Sequence, residues 1–455
     1  MGSISQPTTT DLVGALEQAH AQYTKLNPKS LATHEEACNY LPGGNTRTVL
    51  HTTPFPLTIA SGKDAHLTTL DGQTYIDFLG EYTAGIYGHS HPVIKSAIET
   101  TLQNGWNYGG HNALEPQLAK IVCDRFPAIE LVRFVNSGTE ANMMAIATAL
   151  AFTGRKKVLL FNKGYHGSTI SGRTASDKMS INLPHDFVVG TYNDADGTEE
   201  LVTSLPKESL AAILVEPMLG SGGCLAGTSE FLHTLRRLAT SHGALLIFDE
   251  VMTSRLNYHG LGSTTGVTPD LITLGKWIGG GMSFGAFGGR RDILQLYDPR
   301  HGKLEHPGTF NNNVFTMSAG IAGCQLLTAE KINALNALGE SMRRKIEDVL
   351  SNKRILEGTT LPSAPVTDEM HSADHPHRPP RMFIKGVGSL MAIQFAGPDR
   401  DALQGLFYHH MLQQGINMAQ RGFIALNIML TENHVAEFVS ALEVFVGRWE
   451  DVLKW

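Results

Sequence analysis

The pattern of apolar and polar positions changes character twice along the chain. From Asp11, the residues Leu12, Leu16, Ala19 and Tyr23 recur at helical spacing, which predicts a capped amphipathic helix ending near Asn27 and Pro28. Three β-like runs follow at residues 57–60, 65–68 and 74–78. The turns at residues 61–64 and at Asp71-Gly72 join them into a hairpin-like N-terminal segment. From about residue 92 the period changes. Apolar runs at residues 131–135, 157–161, 187–189, 212–215 and 244–248 alternate with helix-length stretches. Continuous apolar runs of this length are what parallel strands covered on both faces need, so the expected class is α/β.

A charged helix over residues 329–352 leaves this region. Residues 355–380 then gather prolines, histidines, Thr and Asp without periodicity and read as a loop or insertion. Strand-like runs at 382–385, 389–395 and 424–427, with helices over 401–414 and 432–446, predict a smaller α+β unit. The expected organisation is residues 1–91 as an N-terminal helix and small sheet belonging to the small domain, 92–340 as the large α/β domain, and 341–455 as the C-terminal α+β domain. No internal repeat is visible.

Composition narrows the partners. With 455 residues, 42% hydrophobic and 17% charged, the chain suits two or three well-buried domains. A net charge of -7 leaves no basic excess for nucleic-acid phosphates. The apolar stretch 143–152 is far shorter than the roughly 20 residues of a membrane span. Cys38, Cys123, Cys224 and Cys324 lie far apart with no metal-binding pair, which suits a reducing compartment. Residues 1–10 lack the charged and apolar regions of a secretory signal, and acidic residues precede the first basic one, Lys25. The expectation is a cytoplasmic protein that binds neither nucleic acid nor membrane and uses no metal.

Five segments carry candidate chemistry. The apolar run 244–248 ends in Asp249-Glu250, which places two carboxylates at the edge of the sheet where ligands bind in open α/β folds. Taken alone, Asp249 could simply cap the next element. Lys276 stands at the end of a second apolar run with no local acidic partner and with Gly279-Gly280-Gly281 beyond it. A desolvated amine there has a lowered pKa and suits Schiff-base chemistry. Asn136-Ser137-Gly138-Thr139 lies between a strand and a helix, so amides, hydroxyls and the helix dipole converge as an anion cradle. Tyr165, between glycines in Gly164-Tyr165-His166-Gly167, could stack on a flat group, and Glu216 is a carboxylate held before Pro217. In chain order the five make a cradle, an aromatic, two carboxylates and an amine. Pyridoxal phosphate needs that set: an anion site, a ring contact, a partner for its ring nitrogen and a lysine.

The sequence resembles the class III (ω-amino acid) aminotransferases of the fold type I pyridoxal-phosphate superfamily, in the branch shared with glutamate-1-semialdehyde aminomutase. The likeness runs from about Leu41 to Gly447 and rests most firmly on Phe248-Asp249-Glu250-Val251 and Thr273-Leu274-Gly275-Lys276. The resemblance implies a large domain with a mostly parallel central sheet and a small domain built from both ends of the chain. It implies Lys276 as the Schiff-base lysine and proton carrier and Asp249 as the partner of the pyridine nitrogen. Ser137, Gly138 and Thr139 would hold the phosphate, Tyr165 would cover the ring, and Glu216 would lie nearby. Gly308-Thr309 resembles the segment that reaches the neighbouring subunit's phosphate, which implies a homodimer with shared sites. Pro42-Gly43-Gly44-Asn45-Thr46-Arg47, Glu81-Tyr82-Thr83-Ala84-Gly85, Gly308-Thr309-Phe310-Asn311-Asn312-Asn313 and Arg421-Gly422-Phe423 depart from the aminomutase forms and resemble aromatic β-amino acid aminotransferases.

That likeness implies transfer of an amino group from an aromatic β-amino acid to a 2-oxo acid such as 2-oxoglutarate or pyruvate. Arg47 and Arg421 are the candidates for gripping carboxylates, because a guanidinium offers two parallel hydrogen bonds. Tyr82 and Phe55 are candidates for an apolar wall. Three alternatives stand beside this reading: a 2,1-aminomutase, a decarboxylase of the same superfamily, and a non-catalytic binding protein with the same fold.

Overall fold

The structure, a computed structural model, describes residues 9–105, 107–172 and 181–455. Helices Thr9–Leu26 and Pro28–Cys38 open the chain. The first is the helix the apolar spacing predicts, begun earlier, at Thr9. The second goes beyond the sequence reading. Pro28 is its first residue, where a missing amide costs nothing, so one residue suffices between the two. Strands β1 (Ile59–Lys63), β2 (His66–Thr69) and β3 (Thr74–Asp77) form an antiparallel meander. Ser61, Gly62 and Lys63, expected in a turn, belong to β1; the reversal is confined to Asp64, at φ +53, and Ala65.

The large sheet contains β4 (Leu131–Val135), β5 (Lys157–Phe161), β6 (Asp186–Gly190) and β7 (Leu210–Val215). After a short pair, β8 (Met218–Leu219) and β9 (Leu225–Ala226), come β10 (Leu245–Asp249), β11 (Leu271–Gly275) and β12 (Gly285–Gly289). Its seven strands run in the order β4-β12-β11-β10-β7-β5-β6. Strand β10 is parallel to both its neighbours, and β12 is antiparallel to both of its own. The sequence reading lacks β12 because Gly-Ala-Phe-Gly-Gly carries little β propensity. Its glycines answer to close approach: a Cβ on Gly285 would collide with the carbonyl oxygen of Ser137.

Every residue of β7 is buried, and its side chains alternate between two cores. Ala212 and Leu214 meet Ala145, Ile146 and Ala149 of helix Gly138–Thr153 on one face. Ile213 and Val215 join Phe231 and Leu235 of helix Ser229–His242 in the core of the other. This two-sided burial explains the unbroken apolar runs.

After helix Ala329–Asn352, residues 355–380 contain a single turn of 3₁₀ helix, Glu369–His371. The chain ends in β13 (Met382–Val387), β14 (Leu390–Phe395), β15 (Ile416–Asn417) and β16 (Phe423–Ala425), with helices Arg400–Gln413 and Glu432–Trp449. Strands β13, β14 and β16 form one sheet, while β15 pairs in parallel with β3, so both ends of the chain build one small α+β domain. Among the described residues no helix is long and apolar enough to cross a membrane. Gly285→Ala should destabilise the fold by about 1–3 kcal/mol through overpacking, read as a lower denaturant midpoint with an unchanged slope.

Candidate active site

Strand β10 ends at Asp249, which pairs in register with Thr273 of β11, three residues before Lys276. Asp249 is only 3% exposed, and a buried carboxylate needs partners. Its Oδ2 accepts hydrogen bonds from Asn142 Nδ2 (2.8 Å) and sits 2.8 Å from His166 Nδ1; its Oδ1 accepts from the amide of Val251 (3.0 Å). Asn142 also donates to the carbonyl of His166 (3.0 Å) and accepts from Thr273 Oγ1 (2.7 Å). Sequence reasoning assigned no role to Asn142, His166 or Thr273. The signals available were an amide inside an otherwise apolar helix and a histidine between glycines.

Lys276 has φ +55, an uncommon backbone state for a non-glycine residue, and its Nζ donates to the carbonyl oxygen of Tyr82 (2.7 Å). Burial pushes its pKa down from 10.5 to about 8, Arg47 and Arg421 add to the fall, and Asp249 and Glu216 oppose it. Tyr82 itself belongs to an unusual turn. Gly80, Glu81, Tyr82 and Thr83 all have positive φ, at 52°, 51°, 53° and 83°. Left-handed non-glycine backbone costs roughly 1–2 kcal/mol per residue, so surrounding contacts must hold this turn. Gly80 is required for space as well: a Cβ there would lie 2.5 Å from the carbonyl oxygen of Ala425.

The two candidate arginines converge on Tyr82. Arg47 Cζ lies 5.6 Å and Arg421 Cζ 5.5 Å from the centre of its ring, within cation–π reach. Phe423 stacks near-parallel on the same ring, with centroids 6.2 Å apart. The phenol hydroxyl donates to the carbonyl of Val49 (2.9 Å), tying the Arg47 segment to the turn.

Ser137 caps helix Gly138–Thr153, its Oγ accepting from the amide of Glu140 (3.1 Å). The amides of Gly138 and Thr139 precede the first intrahelical bond and are free to bind an anion. Gly138 has no room for a side chain: its Cβ would lie 2.7 Å from Val251 Cγ1. Gly167, at φ +125, abuts the Thr139 side chain, whose Oγ1 would be 2.5 Å from a Cβ at that position. The cradle therefore packs directly against the residues that follow Asp249 and Tyr165. Glu216 is buried; its Oε1 accepts from the amide of Tyr165 (3.1 Å) and its Oε2 from that of Gly220 (2.9 Å). Burial pushes its pKa up to about 7. Tyr165 is left 49% exposed beside this framework.

Two candidates fall elsewhere. Phe55 is buried in a separate cluster with Tyr23, Tyr75, Tyr408 and Leu412, its ring 5.0 Å from that of Tyr23. Thr309 is exposed next to the exposed Phe310, on a loop anchored where Asn311 Oδ1 accepts from Asn136 Nδ2 (3.1 Å).

A doubly covered sheet with an amine, a buried carboxylate and a helix N-terminus at its carboxyl edge suits a cofactor that carries an aldehyde and an anionic group. The chain belongs to the class III aminotransferases, whose family model matches residues 49–445. It is 44% identical to the β-phenylalanine transaminase of Variovorax paradoxus, over 95% of this chain and 96% of that one. A crystal structure of β-phenylalanine aminotransferase from Variovorax paradoxus superposes with a TM-score of 0.88 at 43% identity, covering 97% of this chain and 99% of that chain. Glutamate-1-semialdehyde 2,1-aminomutase of Methanosarcina acetivorans is 38% identical over 92% of this chain and 97% of its own length.

The enzyme is thus dependent on pyridoxal 5'-phosphate, and the residues present fit that group. The donor set is complete, with amides and hydroxyls for a phosphate, a carboxylate for a ring nitrogen and an amine for an aldehyde. The glycines at 138 and 167 keep side chains out of the cradle.

The depressed pKa of Lys276 has a measurable consequence. Above pH 8 the unfolded chain holds this proton more tightly than the folded one, so the folded state gains stability as pH rises from about 8 to 10.5. Below about pH 8 the full penalty applies. Lys276→Met should therefore stabilise the cofactor-free protein at pH 7 by up to about 3 kcal/mol, at roughly 1.4 kcal/mol per pK unit. Denaturant titrations at pH 7 and pH 10 check it: the gain should shrink at the higher pH.

Proposed function

We propose that this enzyme moves the amino group of an aromatic β-amino acid to a 2-oxo acid such as 2-oxoglutarate or pyruvate. The observation that carries the reading is the pair of guanidiniums, Arg47 and Arg421, both within 6 Å of the Tyr82 ring whose own carbonyl holds Lys276. Two cations beside one amine suit substrates that present a carboxylate at more than one distance from the reacting nitrogen. The similarity to a β-phenylalanine transaminase supports the same choice.

In this reading the phosphate lies at Ser137, Gly138 and Thr139, Tyr165 covers the ring, Asp249 accepts the hydrogen bond of the ring nitrogen and Lys276 meets the aldehyde. When bound, the cofactor supplies that aldehyde and a ring that takes up the electron pair left on the donor's carbon. Lys276 Nζ would take the proton from that carbon and deliver it to the carbon of the former aldehyde, and would run the same transfer in reverse for the oxo-acid acceptor, a task suited to an amine whose pKa is near 8. Asp249, held by Asn142, His166 and the Val251 amide, keeps a proton on the ring nitrogen. Glu216 fixes the backbone of Tyr165 and so the angle of the covering ring. Arg421 and Arg47 clamp the carboxylates of donor and acceptor, and Tyr82 gives the donor's aryl group a flat face.

We read the enzyme as a homodimer in which the Thr309 loop of each subunit serves the other's site; the exposure of Thr309 and Phe310 supports this. The three-part division at residues 91 and 340 is the matching domain proposal, supported by the pairing of β15 with β3. The four unpaired cysteines support a cytoplasmic setting.

Lys276→Ala should lose turnover by several orders of magnitude while retaining its fold. Near-normal amino transfer in that variant would sink the assignment. Arg421→Ala should lower kcat/KM for a β-amino acid by about 30- to 1000-fold, the equivalent of about 2–4 kcal/mol for a charge-assisted contact. A plain aryl-alkylamine should lose little. The donor half-reaction, followed alone by cofactor absorbance, separates the two; equal losses for both donors would remove Arg421 from the carboxylate site. Isomerisation of glutamate-1-semialdehyde without any acceptor would favour the aminomutase alternative instead.

A further inference from the structure

The left-handed turn Gly80–Thr83 has two sides. One bears the Tyr82 carbonyl and ring, which meet Lys276 and the two arginines. Glu81 lies on the other, lining a cavity of about 410 Å³ with His89 and with Gly280, Gly281 and Met282, the residues just after the lysine. A charged network spans this second side. Asp77 Oδ1 accepts from the amides of Leu79 (2.9 Å) and Gly80 (3.3 Å) and from Asn417 Nδ2 (3.0 Å). Its Oδ2 lies 2.9 Å from His89 Nε2, and the other ring nitrogen of His89 faces Glu81 Oε1 at 3.6 Å.

Asp77 thus grips the entry to the turn by its backbone amides, and His89 links that carboxylate to the side chain of the first non-glycine residue inside it. The neighbouring strands close the frame. Asn417 comes from β15, and the amide of Ala425, in β16, donates to the carbonyl of Phe78 (2.8 Å). Nothing in this network touches Lys276, Arg47 or Arg421 through a direct hydrogen bond among the described contacts. Its routes to them are the backbone of Tyr82 and the charge of Glu81, which acts on Arg47 through space.

We propose that Asp77, His89 and Glu81 are positioning residues which hold the turn in its left-handed form and so aim one residue, Tyr82, at two tasks. Its carbonyl sets the Lys276 amine, and its ring sets the spacing of the two guanidiniums. The proposal deepens the functional reading above and rests on its assignment of Lys276 and the arginines.

Two consequences separate positioning from simple support of the fold. A relaxed turn changes the environment of the lysine, so every donor is affected. It also spreads the arginines, so donors with a carboxylate suffer more than donors without one. His89→Leu removes both contacts of the imidazole; His89→Gln keeps a donor towards Asp77 and is the conservative rescue. Glu81→Gln, at a half-exposed side chain, perturbs the same network with less burden on folding.

The holoenzyme variants should be compared by donor half-reaction kinetics and by pH titration of the bound cofactor's absorbance. In His89→Leu we expect kcat/KM to fall about 30-fold for an aromatic β-amino acid, mostly through KM, and about 5-fold for an aryl-alkylamine. The absorbance titration should move by about half a pH unit or more, and His89→Gln should recover most of each change. If His89→Leu does not fold, Glu81→Gln carries the test, with losses in the same order and a titration shift in the same direction. A folded variant with a lower Tm but unmoved titration and equal losses for both donors would overturn the proposal, as would full retention of both rates. An active Lys276→Ala would instead remove the reading on which it rests, so the two failures are distinguishable.

Discussion

Asn142 Nδ2 donates to Asp249 Oδ2 at 2.8 Å inside a region from which water is excluded, and the geometry of the site follows from that contact. Asn142 sits in the second turn of the helix whose N-terminus forms the anion cradle, so its bond to Asp249 sets the distance from cradle to strand β10. Its second amide hydrogen takes the carbonyl of His166, which returns a ring nitrogen to Asp249. Its oxygen takes Thr273 Oγ1 on β11, the strand that delivers Lys276. One side-chain amide therefore joins the cradle, the carboxylate, the loop bearing Tyr165 and the lysine strand. Losing it would leave several buried polar groups without partners at once, a situation more costly than losing one exposed hydrogen bond.

Around this frame the charges are arranged in opposition. Arg47 and Arg421 press the Lys276 amine towards its neutral form, while Asp249 and Glu216 draw it back. Burial weighs most, so the neutral amine is accessible near pH 8. In the proposed function, a carboxylate brought between the arginines would offset their charge and so couple substrate binding to the basicity of the lysine without any movement of the backbone. The shared contact of both arginines with Tyr82 makes that coupling local.

Much of this was legible in the sequence, for identifiable reasons. Strands β5, β7 and β10 announce themselves because both faces of each are buried, which forces apolar runs. Strand β12 does not, because close packing against Ser137, Leu131 and Asp270 demands glycine where a strand would ordinarily show branched side chains. Asp249, Lys276 and the Ser137–Thr139 cradle stand out because each puts a polar group at the end of an apolar run. Asn142 and His166 hide, since a hydrogen-bonding partner reached across 107 or 83 residues of chain leaves no local pattern. The burial of Phe55 among Tyr23, Tyr75 and Tyr408 is likewise a tertiary fact that the local sequence does not carry.

The turn at Gly80–Thr83 was readable only as a string of residues, Gly-Glu-Tyr-Thr, none of which except glycine favours positive φ. That mismatch is informative once the structure is known. Local preference and observed conformation disagree over three successive residues, and a second disagreement occurs at Lys276, also at φ +55. The two strained segments meet at a single hydrogen bond, Lys276 Nζ to the Tyr82 carbonyl. Strain of this kind persists only where the surroundings over-determine it. The enclosing strands, the Asp77 carboxylate and the close contact of Gly80 with Ala425 supply the constraint. A relaxed backbone at either segment would place the amine or the aromatic ring by its own rotamer preferences. The strained one hands that choice to the fold, so that the Lys276 amine and the two guanidiniums share one reference point.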